Sequence, residues 1–165
     1  MSRLHVSSET LTGSLSVSQI VWPEDKDVLQ GLHASWIEQY AEYLGPDTAE
    51  LLVGRLLDSG KLYPEKEVPV LGAYKGETLV GVASLRSLQG LSLITMLEVM
   101  QPFRHQGVGR ALVSALDKRA ERLLAHVSIH RPAVRIFYQQ LGFKLLERMQ
   151  VDHDGHLLEF DVLAK

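Results

Sequence analysis

The sequence predicts a single domain of the α/β class. A chain of 165 residues, 45% of them hydrophobic, is long enough to bury one full core, which argues against disorder. Apolar runs of strand length alternate with runs at helical spacing, in the order strand, two helices, three strands, helix, strand, helix, two strands. The helix after the fourth strand connects two strands, which favours a parallel crossover at that point.

The first third of the chain predicts one strand and two helices. Apolar residues at 15–21 indicate the strand, which Trp22-Pro23 ends. Helical spacing then runs from Asp25 to Gly45-Pro46, and Asp47-Thr48-Ala49-Glu50 has the pattern of a capping box, opening a second helix that ends near residue 60. We expect the aromatic residues of the first helix to pack in the core, with some available to an acceptor pocket. Its spaced positions are Leu29, Leu32, Trp36, Tyr40 and Tyr43.

Two hairpins are predicted in the rest of the chain. Apolar runs at 68–74 and 79–85 are separated by Lys75-Gly76-Glu77, a good hairpin turn, and Asp154-Gly155 joins the last two strands. The neighbouring His153 and His156 could suggest a metal site, but the flanking strands favour a solvated hairpin tip, and we predict no metal. The other strands are predicted at 91–99, 125–129, 143–151 and 157–163.

The segment from Val99 to Gly109 carries the strongest functional signal. It reads Val-Met-Gln-Pro-Phe-Arg-His-Gln-Gly-Val-Gly and lies between a strand-like and a helix-like run. Gly107 and Gly109 let main chain approach a ligand closely, and Arg104 and Arg110 add positive charge. Free N–H groups in the first helical turn favour an anion, so the expected ligand is a phosphate or pyrophosphate. The helical stripe comprises Val108, Ala111, Leu112, Ala115, Leu116 and Leu123.

Composition excludes several classes of function. A formal charge of −3 offers no general attraction to nucleic acid or to an anionic membrane, so any anion site must be local. The chain has no cysteine, which excludes disulfides, thiolate metal sites and a cysteine nucleophile. The polar first residues and the lack of a long apolar run predict a cytoplasmic protein without a membrane partner.

Two motifs resemble those of the GNAT family of N-acetyltransferases. The order Arg-x-x-Gly-x-Gly at 104–109, between a strand and a helix, resembles the acyl-CoA signature of that family. The segment Ile-Phe-Tyr-Gln-Gln-Leu-Gly-Phe at 136–143 is similar to its closing motif, and reads as helical turns stopped by Gly142. Neither a Walker A loop nor a dinucleotide fingerprint fits the chain.

The resemblance implies one GNAT domain over residues 1–165, with 1–14 as a flexible or strand-forming segment. The GNAT fold is a mixed, mostly antiparallel twisted sheet of about six to seven strands, flanked by about four helices, in which the central parallel strands splay apart. It also implies acetyl-CoA as cosubstrate: loop amides would hold the pyrophosphate, and strand main chain would pair with the pantetheine arm. Arg131 stands where the family often has Asn. The implied acetyl-CoA-binding residues are Leu97, Glu98, Val99, Arg104, His105, Gln106, Gly107, Val108, Gly109, Arg110, Arg131 and Tyr138.

The resemblance assigns the catalytic roles as well. Tyr138 matches the tyrosine that serves the family as general acid, and a phenol is protonated at neutral pH. Glu98 and His126 are both candidates for the general base, His126 standing where some members have Glu. Each has an alternative structural role: Tyr138 in the core, His126 as a structural histidine, Glu98 as a strand carboxylate.

The implied function is acetyl transfer to a primary amine, on a small molecule or a protein. Without a cysteine, direct attack in a ternary complex is favoured over an acetyl-enzyme. The alternative is a non-catalytic acyl-CoA-binding or regulatory module. A homodimer formed through sheet edges is compatible with the sequence, although no interface can be located in it.

Overall fold

The described residues form a seven-stranded mixed sheet with helices packed on both of its faces. The computed structural model describes residues 14–20, 37–38, 40–41, 44–58, 70–153 and 155–165. The strands are β1 (Leu15–Ile20), β2 (Val70–Lys75), β3 (Thr78–Leu88), β4 (Leu91–Val99), β5 (Leu123–Ser128), β6 (Lys144–His153) and β7 (His156–Ala164). The helices are α1 (Pro46–Asp58), α2 (Val108–Asp117) and α3 (Pro132–Gln140), with a 3₁₀ turn at Gln101–Phe103.

The spatial order of the strands is β1-β2-β3-β4-β5-β7-β6. Among the described strands, β4 and β5 form the one parallel pair, and every other neighbouring pair is antiparallel. A parallel pair needs a crossover connection, which α2 supplies. The predicted sheet of six to seven mostly antiparallel strands and the predicted crossover are therefore confirmed.

The two faces of the sheet carry separate apolar clusters. On one face, α2 and α3 pack onto a large cluster that includes Leu112 and Leu116 of α2 and Tyr138 of α3. On the other face, Val53 of α1 packs against Val70, Val82 and Met96. Both clusters reach β4, because alternate residues of a strand point to opposite faces.

The predicted first helix lies partly outside the described residues. Ile37, Glu38, Tyr40, Ala41 and Leu44 are helical, whereas Leu29, Leu32, Trp36 and Tyr43 are not described. Tyr40 packs against apolar clusters, as expected of a core aromatic residue. Three complete α-helices and part of a further one are thus seen in the described chain.

Two details of the predicted helices are wrong. The helix α1 begins at Pro46, and the Ala49 N–H donates to the Gly45 carbonyl at 3.0 Å, so Asp47 lies inside the first turn rather than at the cap. Proline suits the first helical position because an N–H group there has no partner within the helix, so no hydrogen bond is lost. Leu123, which the spacing placed on the stripe of α2, begins β5 instead, because the helix ends at Asp117.

The second hairpin forms as predicted. Strands β6 and β7 pair up to His153 and His156, and the Gly155 N–H donates to the Asp152 carboxylate at 2.8 Å. Asp154 and the His153 side chain lie outside the described residues. Elsewhere in the described chain, no three His, Cys, Asp or Glu side chains are grouped so as to hold a metal ion. None of the described helices is both long enough and apolar enough to span a bilayer.

Candidate active site

The two parallel strands separate part of the way along their length. Ser92–Ile94 of β4 pair with Leu123–Ala125 of β5. Beyond this point β4 continues to Val99 and β5 to Ser128, and the two strands no longer pair with each other. The separation begins beside a bulge in β4. Ile94 pairs with Leu85 of β3 and Met96 pairs with Ser84, so Thr95 between them is an extra residue. Bulges bend strands and often lie next to active sites. The facing edges beyond this point leave main-chain N–H and C=O groups available to a ligand.

A cavity of about 880 Å³ occupies the opening between these strands. Its walls come from both separated strand ends, from the loop before α2, and from α2 and α3. Such a volume is in the range of small-molecule sites.

The loop that enters α2 is held in an unusual backbone conformation. His105 has a φ of 62° and Gly107 a φ of 86°, both in the left-handed region. This region is costly for a residue with a Cβ, so Gly107 is suited to its position and His105 must be held there by its surroundings. The Arg104 Nε donates to the Val99 carbonyl at 3.2 Å and ties the loop to the end of β4.

The two glycines of the motif serve different purposes. A Cβ at Gly107 would meet nothing within 4 Å, so glycine is favoured there by the left-handed backbone conformation and not by lack of space. A Cβ at Gly109 would lie 3.2 Å from Cζ of Phe137, which means that α2 and α3 approach each other closely at this point. Gly107 therefore sets the direction of the loop, and Gly109 sets the position of the helix terminus.

The N-terminus of α2 is suited to an anion. Its cap residue Gly107 supplies no side-chain hydrogen bond, and its first turn contains no acidic residue. The N–H groups of the first turn have no partner within the helix, and the helix dipole places partial positive charge there. Basic side chains at the cavity wall reinforce this field. They are Arg104, Arg110 and Arg131, and His105 lines the same wall.

Tyr138 of α3 lies at the inner wall of the cavity and is 5% exposed. Its ring forms edge-to-face contacts with Phe137 and Phe143, at centroid distances of 5.2 and 5.0 Å. The Phe143 N–H donates to the Tyr138 carbonyl at 3.1 Å, and Gly142 has a φ of 96°, so the predicted glycine stop of α3 is confirmed. Burial, and secondarily the negative charge of Glu98, raises the pKa of the Tyr138 phenol well above its ordinary value.

A buried carboxylate anchors α3 to the sheet. Asp161 of β7 is 2% exposed and accepts hydrogen bonds from Arg135 of α3 and Arg148 of β6, each at 2.9 Å. A buried charge is tolerated when it is paired in this way. Because Arg135 precedes Tyr138 by less than one helical turn, this clamp fixes the part of α3 that carries the phenol.

The two candidate bases line the same cavity from opposite strands. Glu98 lies on β4 and His126 on β5. Partial burial removes water from the imidazole and lowers the pKa of His126 from its ordinary 6.5, and the carboxylate of Glu147 partly offsets that effect. His126 nevertheless keeps an exposed part of its surface and lines the cavity.

Nearly all the predicted site residues meet at this cavity. Leu97, Val99, Val108 and the other residues predicted for the site line it, whereas Gln106 does not. The Gln106 side chain turns away and accepts a hydrogen bond from Lys75 at 2.9 Å. Sequence reasoning missed Phe160 and Phe137 as lining residues, because nothing in their local pattern distinguishes them from core aromatic residues.

The fold and the site define a class of protein. A sheet that opens between two parallel strands, with a basic helix N-terminus beside the opening, is built to hold an extended ligand that carries a pyrophosphate. Residues 66–145, which include the loop, α2, β5 and α3, match the family model described as an acetyltransferase (GNAT) domain. Over this part of the chain the match is therefore to the GNAT family of acetyl-CoA-dependent acetyltransferases.

Solved structures share the fold at low sequence identity. PaiA N-acetyltransferase from Thermoplasma acidophilum, in complex with coenzyme A, is 18% identical with a TM-score of 0.73, over 92% of this chain and 98% of that one. YncA from Salmonella typhimurium, with acetyl-CoA, is 17% identical with a TM-score of 0.60, over 93% and 94%. NAA60 from Arabidopsis thaliana, in complex with a bisubstrate analogue, is 16% identical with a TM-score of 0.62, over 92% and 97%. No curated protein sequence matches the chain.

Proposed function

We propose that this protein transfers an acetyl group from acetyl-CoA to a primary amine by direct attack, with both substrates bound at once. The observation that carries the proposal is a single cavity lined by the basic helix N-terminus, a buried tyrosine and two candidate bases. The similar fold of NAA60 holds a bisubstrate analogue, which is consistent with simultaneous occupation of such a site. The absence of cysteine leaves no thiol for an acetyl-enzyme.

The residues around the cavity fit acetyl-CoA. When bound, acetyl-CoA supplies an acetyl group activated as a thioester. The N–H groups at Gly107–Arg110 would hold its pyrophosphate, with Arg104 and Arg131 contributing charge. The unpaired edge of β4 at 97–99 would offer main-chain hydrogen bonds to the pantetheine amides.

Tyr138 is the general acid in this proposal. A phenol is protonated at neutral pH even at its ordinary pKa, and burial raises the pKa of Tyr138 further, so the group is present as a donor when the thiolate departs. The edge-to-face contacts and the Asp161 clamp hold the ring in one orientation. A fixed donor costs little reorganisation when the leaving group departs.

His126 is the general base in this proposal, in preference to Glu98. Its lowered pKa leaves the imidazole neutral at pH 7, able to accept a proton from the amine directly or through water. It is exposed at the rim, where an acceptor would enter. The negative charge of Glu98 acts on the Tyr138 phenol, and the same charge is suited to attracting the cationic form of the amine.

The test is release of CoA thiol from acetyl-CoA in the presence of a panel of primary amines, including peptides with free N-termini. Wild-type protein should release thiol only when a suitable amine is present. Replacing Tyr138 by Phe removes the acid and should lower kcat by about 100-fold, while CoA binding is retained. The matched control is Tyr74→Phe, because Tyr74 lies on β2 away from the cavity.

Two results would contradict the proposal. Tight binding of CoA without thiol release for any amine would favour a non-catalytic binding module. Unchanged turnover in Tyr138→Phe across the pH range would remove the tyrosine from its acid role.

A further inference from the structure

A lysine is buried behind the loop that enters α2. Lys75, the last residue of β2, is 1% exposed and is among the largest fully buried side chains of the described residues. Lysine is almost never fully buried unless it is paired. In the part of the chain that the structure describes, its one hydrogen-bond partner is the Gln106 side chain, at 2.9 Å.

Gln106 links this lysine to the beginning of the loop. Its Oε1 accepts from the Lys75 Nζ, and its Nε2 donates to the Pro102 carbonyl at 3.1 Å. Both ends of the amide are therefore used, and their polarity is fixed, since the ammonium can only donate and the carbonyl can only accept. The side chain of Gln106 joins the end of β2 to the 3₁₀ turn that precedes the loop.

The hydrogen-bonded pair of Lys75 and Gln106, which we call the brace, acts where the loop backbone is in the left-handed region. Gln106 lies between His105, with a φ of 62°, and Gly107, with a φ of 86°. A non-glycine residue persists in the left-handed region only where its surroundings hold it there. Two hydrogen bonds from the residue next to His105 supply such a constraint, and they act just before the amides at the start of α2.

We propose that Lys75 is a positioning residue for the acyl-CoA loop: through Gln106 it holds the loop in the conformation that presents the α2 amides, and it adds positive charge behind them. Lys75 does not line the cavity, so it acts without touching the ligand. The inference rests on the proposed function, because the loop is taken to hold the pyrophosphate. It predicts a defect in donor binding rather than in acetyl transfer itself.

The experiment measures the Kd for CoA by titration calorimetry, and kcat and KM by thiol release, for wild type, Gln106→Ala, Lys75→Met and the double variant. Each single substitution should raise the Kd for CoA by about tenfold, the effect of losing a hydrogen bond to a charged group. The kcat at saturating donor should change by less than about twofold, since the substituted groups do not touch the reacting atoms. Gln106→Ala removes an exposed side chain, so it carries the test if Lys75→Met does not fold.

Two further measurements separate positioning from general damage. S-acetylpantetheine lacks the pyrophosphate, so the variants should use it as well as wild type does. In the Gln106→Ala background, Lys75→Met should have a smaller effect on the Kd than it has in wild type, because the two residues act in series. The control Lys118→Met removes one positive charge at the far end of α2 and should leave the Kd unchanged.

The outcomes also separate this inference from the proposed function. Wild-type protein that neither binds CoA nor releases thiol would overturn both. Wild-type protein that binds CoA, with Gln106→Ala and Lys75→Met binding it equally well, would overturn the role of Lys75 alone. Equal losses with acetyl-CoA and S-acetylpantetheine, or fully additive effects in the double variant, would also contradict the role.

Discussion

The two sides of the cavity are built in different ways. On the side of the loop, the chemistry comes from main chain: the amides at the start of α2, the left-handed Gly107 and the close approach at Gly109. On the opposite side it comes from side chains, of which Glu98, His126 and Phe160 belong to three different strands.

This difference separates two tasks. In the proposed function, main-chain groups on the loop side recognise the pyrophosphate and amides that every acetyl-CoA molecule has in common. On the opposite side, the proposal assigns acceptor recognition and proton transfer to side chains that the sheet brings together from distant positions in the sequence. We therefore expect substitutions on the loop side to change donor binding, and substitutions on the other side to change acetyl transfer.

The largest expected effect in this comparison is at His126. His126→Gln should lower kcat/KM for the amine by about 100-fold at pH 7 and leave the Kd for CoA unchanged. The lowered pKa of His126 means that wild-type activity falls only as the pH drops through a value below 6.5, where the imidazole becomes protonated. Rate measurements from pH 5 to 9 should show this acidic limb in wild type and not in the variant.

The control for His126 is His130→Gln. His130 is exposed and does not line the cavity, so that variant should behave as wild type. The raised pKa of Tyr138 keeps the phenol protonated throughout the same range, so no loss of activity from this group is expected at pH 9. An acidic limb that persists in His126→Gln would transfer the role of base to Glu98.

A smaller effect is expected on the loop side, at Gly109. In Gly109→Val, the Cβ would lie 3.2 and 3.3 Å from two atoms of the Phe137 ring, and the branched methyl groups would add to the crowding. We expect the start of α2 and the Phe137 ring to be pushed apart, which should raise the Kd for CoA by about tenfold and cost about 1–3 kcal/mol of stability. Titration with CoA and thermal unfolding measure the two effects.

Gly54→Val provides a matched control for Gly109→Val. A Cβ at Gly54 would meet nothing within 4 Å, so neither CoA binding nor the unfolding temperature should change appreciably. If Gly109→Val binds CoA as wild type does, the close approach of α2 and α3 does not position the loop amides.

The sequence predicts the main-chain side of the site better than the side-chain side. Loop glycines, a helix start and hairpin turns are local features: turns form at Gly76 and Gly155, which both have positive φ, and Gly142 ends α3, each where the sequence predicts it. The opening between β4 and β5 begins beside the bulge at Thr95, and no local pattern in the sequence marks either feature. It was expected from the resemblance to the family rather than from the residues.

The brace at Lys75 shows what local reasoning leaves out. Lys75-Gly76-Glu77 has the composition of an exposed turn, and the turn does form, yet the lysine side chain is buried. The one available signal is alternation, because Lys75 follows Leu71 and Ala73 at spacings of two on a strand whose other residues are nearly all buried. Whether a lysine on such a face is buried depends on a partner 31 residues away, Gln106.

The most direct test of the central claim is a crystal structure of the protein with coenzyme A. We predict that the pyrophosphate oxygens lie within hydrogen-bond distance of N–H groups at residues 107–110, and that the pantetheine arm runs between the separated ends of β4 and β5, towards Tyr138. Coenzyme A bound elsewhere on the molecule, with β4 and β5 left unengaged, would contradict the account.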